Sequence, residues 1–299
     1  MIVYLNGEYM DAENAKISPL DRGFIFGDGI YDVTPSYNGK MVGFQLHLNR
    51  MKNGLDAIGI PNPLTDGEWE EIASNLSEKN GGQNLGIYFQ ISRGNEGRRF
   101  HGFPHDLKPT IFGMVIKIDS YPKISDRKNQ IGLKVVSSED MRWRQCNIKS
   151  TAILGNVLHF QESFILNKDE TIMFNSNNEL TEGSISNVFI VKNGIVATPI
   201  LDHQLLPGIS RHMAIESLRS DGSIEVQERV ISMDEVREAD EVWITNSSKH
   251  IAPVVELDEQ PVGNGLVGPV WEKAMSCLLY TSDAADEGLG VDLGGRRII

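Results

Sequence analysis

The sequence predicts an α+β fold in two parts, and three observations predict it. Short strands joined by Asn-Gly turns open the chain, and later strands cluster with few regular βαβ alternations. A polar stretch, Asp119–Asn129 with Pro122, interrupts the pattern. The 299 residues are enough for one large domain or two ordinary ones.

Ile2–Leu5 and Glu8–Met10 flank Asn6-Gly7, and Met41–Phe44 follows Asn38-Gly39, both hairpin signals. Helices are expected over His47–Ile58 and over Asp66–Lys79, where Thr65 can cap. Leu85–Ser92 and Thr110–Ile118 read as buried strands, completing a small N-terminal domain over residues 1–118. Residues 119–129 are the expected interdomain linker. Ile131–Val136 then reads as a strand, Lys149–Asn167 as a helix, and Thr171–Phe174, Val188–Val191 and Ile195–Ala197 as hairpin-like strands. A helix opens after Pro207-Gly208 and reaches Arg219, and Glu241–Thr245 is another strand, within a larger C-terminal domain over 130–276. From Leu278 the text resembles translated sequencing adapter, the alternative being an ordinary flexible tail. Residues 277–299 are assigned no function.

A hydrophobic share of 40% with 23% charged residues is that of a soluble globular protein, and the net charge of -13 argues against a nucleic-acid partner. No run of about 18 apolar residues is present to span a membrane, and the start lacks a basic region and a long apolar stretch. Two cysteines, Cys146 and Cys277, point to a reducing, cytoplasmic setting. Gly263-Asn-Gly265-Leu-Val-Gly268 matches the dinucleotide fingerprint but no βαβ unit follows it, so it reads as a turn. The scattered histidines lack metal-ligand spacing, and no metal is expected; His47, His159 and His212 read as structural.

Four separated segments carry chemistry. In Gln145-Cys-Asn-Ile-Lys149-Ser the lysine sits between Ile148 and Ile153-Leu154. A lone lysine is ordinarily a solvated charge, but a desolvated amine loses its proton more easily, as a Schiff-base lysine must. Leu180-Thr-Glu182-Gly-Ser184-Ile-Ser-Asn187 taken alone reads as a turn with a strand start. Leu205-Leu-Pro-Gly208-Ile209-Ser210-Arg211 opens a helix with free N–H groups, an anion site or a plain cap. Trp243-Ile-Thr-Asn-Ser247-Ser248 puts hydroxyls just past a strand end.

Together these segments resemble the branched-chain and D-amino acid transaminase family, fold type IV of the pyridoxal-phosphate enzymes, over about residues 1–275. The resemblance implies a two-domain α+β fold with pyridoxal 5'-phosphate at the domain interface. It assigns Lys149 as the catalytic Schiff-base lysine and Glu182 as partner of the pyridine nitrogen. It gives the phosphate to Arg50, Ile209, Ser210 and Ser247. It also implies a homodimer in which loops of one subunit reach into the other's site.

Ser92-Arg93-Gly94-Asn-Glu-Gly-Arg98-Arg99-Phe100-His101-Gly-Phe-Pro104 resembles the carboxylate-trap loop of the D-amino acid members. Arg99 and His101 take the trap positions, with Arg98 open if the loop shifts, and Tyr31 matches the accompanying tyrosine. Read without the family, the loop is an exposed basic turn. It runs one residue longer than the commonest motif, Asp32 stands where glutamate is usual, and Ile185 where serine is common. The expected activity is transfer of the amino group of a D-alanine-like D-amino acid to a 2-oxo acid such as 2-oxoglutarate. The alternatives are a branched-chain L-amino acid transaminase and an aminodeoxychorismate lyase of the same fold.

Overall fold

The computed structural model describes residues 1–120, 127 and 130–286. Strands β1 (Ile2–Leu5) and β2 (Glu8–Asp11) form the first hairpin, with Asn6 and Gly7 both at positive φ in its turn. Helix α1 (Arg22–Phe26) leads into β3 (Gly29–Tyr37) and the short β4 (Lys40–Met41). The strand expected over Met41–Phe44 is therefore cut short. Gly43, at φ 64, turns the chain into α2 (Phe44–Ala57), which starts three residues before the expected His47. Helix α3 (Asp66–Lys79) begins on a capping box in which Thr65 and Glu68 satisfy each other's N–H groups. With β5 (Leu85–Ser92) and β6 (Thr110–Lys117) the strands form an antiparallel sheet ordered β2-β1-β6-β5-β3-β4. One face buries Ile30, Ile87, Phe89 and Ile91 against Leu48, Leu55, Trp69 and Leu76 of α2 and α3.

The expected linker falls largely on residues 121–126, 128 and 129, outside the described residues. Beyond it come β7 (Leu133–Glu139), α4 (Leu154–Ile165), β8 (Glu170–Phe174), β9 (Leu180–Gly183), β10 (Asn187–Lys192) and β11 (Ile195–Thr198). Then follow α5 (Ile209–Asp221), β12 (Val226–Glu228), α6 (Met233–Arg237), β13 (Glu241–Asn246), β14 (His250–Leu257), β15 (Gln260–Pro261) and α7 (Pro269–Asp286). The second sheet runs β12-β11-β10-β13-β14-β7-β8-β9, with β15 beside β14, and mixes parallel and antiparallel pairs. Alternation sends Val188, Ile190, Val242 and Ile244 to one core with Met233 and Val236, and Phe189, Val191 and Trp243 to another under α5 and α7.

Two more expectations shift. The helix expected from Lys149 begins at Leu154, because residues 149–151 pair with β3 instead. Helix α7 carries past residue 276, where the tail was expected; it buries Cys277 and packs Leu278 in one cluster with Trp271 and Trp243. Among the described residues no helix is long and apolar enough to cross a membrane.

Candidate active site

A cavity of about 510 Å³ lies between the two sheets. Its lysine is placed by backbone pairing. Near its start β3 has a free edge, and there Tyr31 N donates to Lys149 O (3.0 Å) while Thr151 N donates to Gly29 O (2.9 Å). The pairing brings Lys149 Nζ to 3.4 Å from Tyr31 Oη and 4.4 Å from the Tyr31 ring centroid. Tyr31 in turn stacks on Tyr88 across the sheet. Burial, helped by the neighbouring Tyr31, pushes the Tyr88 phenol up to about 12.

Arg50 projects from α2 at a second corner. Asp32, from the opposite face of β3 to Tyr31, accepts from Arg50 Nε (2.9 Å) and Nη2 (2.8 Å), a two-pronged grip. Arg50 Nη1 donates to Pro207 O (3.2 Å), and His47 Nδ1 lies 2.7 Å from the same carboxylate. Burial works to raise the Asp32 carboxyl, yet Arg50 and His47 hold it well below the usual carboxylate range. Beside Arg50 the first turn of α5 offers unspent N–H groups. Its N-cap is Gly208, with no side-chain cap, and the first helical bond starts only at His212. Ser210 Oγ donates to Asn246 O (2.9 Å), which brings Ser247 and Ser248 to the same wall. Thr245 Oγ1 is buried there without a hydrogen-bond partner among the described residues. A guanidinium, a free helix start and the Thr245 hydroxyl make a receptor for an anion the size of phosphate.

Glu182, next to last in β9, stands at a third corner, 4% exposed. It accepts from Arg142 Nη1 (2.6 Å), Leu206 N (2.9 Å) and Asn187 Nδ2 (3.2 Å). Burial pushes its carboxyl up to about 7, against the pull of Arg142. Asp140 fixes Arg142 through two parallel bonds of 3.0 and 2.8 Å. Burial favours proton loss from Arg142, but Asp140 and Glu182 outweigh it and raise its pKa.

The structure thus gathers Tyr31, Arg50, Lys149, Glu182, Ile209, Ser210 and Ser247 around one cavity. It does not bring Arg99 and His101 there. Both are exposed on the 93–109 loop, packed around the Phe26 ring at 5.0 and 5.2 Å. The loop is held by its backbone: Arg22 donates to the carbonyls of Phe100, Gly102 and His101. Its base is pinned where Asp28 accepts from both Arg22 and Arg93. Gly94, at φ 98, passes so close to Lys108 O that a Cβ would lie 2.2 Å from it. Sequence reasoning missed Asp140, Arg142 and Asn187; Asn187 alone stood inside a quoted motif.

Comparison with known proteins agrees with this architecture. The amino-transferase class IV family model matches residues 29–257. D-alanine aminotransferase of Staphylococcus aureus (strain MW2) is 35% identical over 269 residues, covering 90% of this chain and 93% of the relative. That of Listeria monocytogenes serotype 1/2a (strain 10403S) is 32% identical over 90% of this chain and 92% of its own length. Among solved structures, the Escherichia coli branched-chain amino acid aminotransferase superposes with a TM-score of 0.86 at 22% identity, covering 94% of each chain. The T.th. branched-chain amino acid aminotransferase solved with pyridoxamine 5'-phosphate gives 0.84 at 21% identity, covering 95% of this chain and 94% of its own. The two-domain α+β architecture is that of the fold type IV transaminases, and with the family model spanning both sheets the chain belongs to the class IV aminotransferases.

Proposed function

We propose that this aminotransferase uses pyridoxal 5'-phosphate to move the amino group of a D-alanine-like D-amino acid to a 2-oxo acid such as 2-oxoglutarate. The observation that carries the reading is the convergence on one cavity of Lys149, the buried Glu182 and the Arg50–α5 corner. The residues present fit that cofactor. The unpartnered Thr245 Oγ1 and the uncapped start of α5 offer donors at the Arg50 corner, and Glu182 offers an acceptor across the cavity. Arg50, Ile209, Ser210 and Ser247 would hold the phosphate, Glu182 the ring nitrogen, and Lys149 the reactive carbon.

When bound, the cofactor supplies a carbonyl for the amine and a cationic ring that draws electrons from the substrate's α-carbon. Lys149 Nζ acts as general base, taking the α-proton and holding it for return. The backbone pairing of residues 149–151 with β3 fixes the side from which it reaches, and with the substrate carboxylate also fixed, only one enantiomer presents its hydrogen. Tyr31 Oη, 3.4 Å from Nζ, orients the amine and belongs to the carboxylate receptor. Glu182 as carboxylate keeps the ring nitrogen protonated, because an adjacent negative charge favours the cation.

The D-amino acid assignment draws on the Staphylococcus and Listeria relatives and on the Arg99–His101 loop. With both side chains outside their own cavity, we propose that they serve the site of a second copy in a homodimer. Helix α4 supports this: it turns His159 and Ser163 inward and leaves Leu154, Val157, Leu158, Phe164 and Ile165 exposed. The two cysteines, both buried and neither in a disulfide, suit the reducing cytoplasm proposed as the protein's location.

The test is incubation of the holoenzyme with D-alanine or L-leucine and 2-oxoglutarate, with Lys149→Ala as control. Pyruvate from D-alanine, absent in the control, supports the reading. Turnover of L-leucine alone moves the enzyme to branched-chain substrates, and silence on both in a protein that binds the cofactor points to the lyase chemistry or an untested substrate. Silence in a protein that binds no cofactor sinks the reading.

A further inference from the structure

Glu170, the first residue of β8, is 1% exposed and takes no part in the chemistry above. Its carboxylate is nevertheless crowded with donors. Oε1 accepts from Thr171 N (2.9 Å), Ser184 N (3.1 Å) and Ser184 Oγ. Oε2 accepts from Ser186 Oγ (2.8 Å) and, more weakly, Ile185 N (3.4 Å). Four of these five donors belong to the tight turn between β9 and β10, which Gly183 N closes onto Ser186 O (2.6 Å). The turn wraps so tightly that a Cβ on Gly183 would lie 2.3 Å from Ser186 Oγ and 3.3 Å from the Glu170 carboxyl carbon.

The turn is also what separates Glu182 from Asn187, and the two meet again across it, Asn187 Nδ2 donating to Glu182 Oε2 (3.2 Å). Ser184 and Ile185 line the cavity, and Ser184 O is tied to α4 by Asn156 (2.8 Å). Only a carboxylate brings two acceptor-only oxygens to such a set. A glutamine would turn a donor toward Ser186 or Ser184, and an aliphatic residue would orphan all of the donors.

We propose that Glu170 is a positioning residue for the reaction. Its buried carboxylate clamps the Gly183–Ser186 turn, and the clamp sets the direction from which Glu182 meets the cofactor's ring nitrogen. This rests on Glu182 being that partner.

The test compares Glu170→Gln and Ser186→Ala with wild type by cofactor titration of the apo-protein, by the visible absorbance of the holoenzyme and by steady-state kinetics. Losing one arm of the clamp should weaken pyridoxal phosphate binding by about 10- to 100-fold in Glu170→Gln. The absorbance maximum should shift and kcat fall, with the amino-acid KM little changed, because the carboxylate receptor lies elsewhere. Ser186→Ala should show the same signature in milder form, and it keeps the proposal open to test if Glu170→Gln does not fold. Variants with a lowered melting temperature but wild-type absorbance, cofactor affinity and kcat would reduce Glu170 to a purely structural part and overturn the proposal. Glu182→Gln separates the two readings. If it leaves absorbance and kcat untouched, the assignment of Glu182 fails, whatever Glu170 does.

Discussion

Arg142 Nη1 lies 2.6 Å from Glu182 Oε1, with both side chains almost fully buried. A buried pair of this kind is costly to break from one side, because the remaining charge is left uncompensated, at about 3–5 kcal/mol. Arg142→Met is therefore expected to lower apo-protein stability by that order. It also leaves burial of Glu182 opposed only by the neutral donors Leu206 N and Asn187 Nδ2, favouring the protonated carboxyl, which in the proposed role could not support a cationic ring. The double variant Arg142→Met/Glu182→Gln should be less destabilised than the sum of the singles. Urea unfolding of the four proteins measures the coupling, and strict additivity would contradict the pairing.

Asp32 prepares the opposite corner. Its carboxylate grips Arg50 at 2.8 and 2.9 Å while holding His47. In Asp32→Ala, Arg50 loses its fixed fork, and cofactor affinity should fall about 10- to 100-fold. Asp32→Glu should recover most of it, since a carboxylate is restored within reach of the same guanidinium. Fluorescence titration of the apo-proteins decides; an unchanged Kd in Asp32→Ala would show that Arg50 needs no such support.

What the sequence disclosed and what it hid follow from how local each feature is. Lys149, Glu182 and the Pro207–Ser210 helix start were legible because each belongs to a short motif whose chemistry is carried by neighbours in the chain. Arg142 was not, because a lone arginine reads as a solvated charge until β9 brings Glu182 beside it. Strand β3, which presents Tyr31, escaped for a related reason. Its opposite face buries Asp32, Thr34 and Ser36, so the apolar alternation that marks a strand is missing. The start of α4 was misplaced because pairing with the edge of β3 outcompetes helix propensity at residues 149–151. The Arg99–His101 loop resembled a trap motif in the sequence, but no local signal says which cavity such a loop faces.

His250 gives the protein an acid limit. It is buried, at φ 56, and pairs with Tyr37 Oη (2.9 Å) across the two domains. Burial pushes its imidazole down to about 4, whereas an unfolded chain titrates near about 6.5. Between those values the unfolded state binds the extra proton. The stabilisation is complete above about 6.5 and is lost as pH falls toward about 4, by at most about 3 kcal/mol. His250→Asn, whose side chain tolerates the left-handed backbone, should flatten this slope. Urea unfolding across that pH range checks it. An equal slope in wild type and variant would place the acid sensitivity elsewhere.

The location of Arg99 and His101 yields the test of how the site is completed. In one chain both are exposed beside Phe26, away from the cavity that holds Lys149. If they serve a second copy, Lys149→Ala and Arg99→Ala carry complementary defects. A mixed dimer then contains one site with an intact lysine and an intact trap, and one site lacking both. Each variant alone should be nearly inactive on D-alanine. Unfolding and refolding them together in equal amounts should restore about a quarter of the wild-type rate, because half of the dimers are mixed and each has one working site. A mixture no more active than its parts would mean that the loop must swing back to its own cavity.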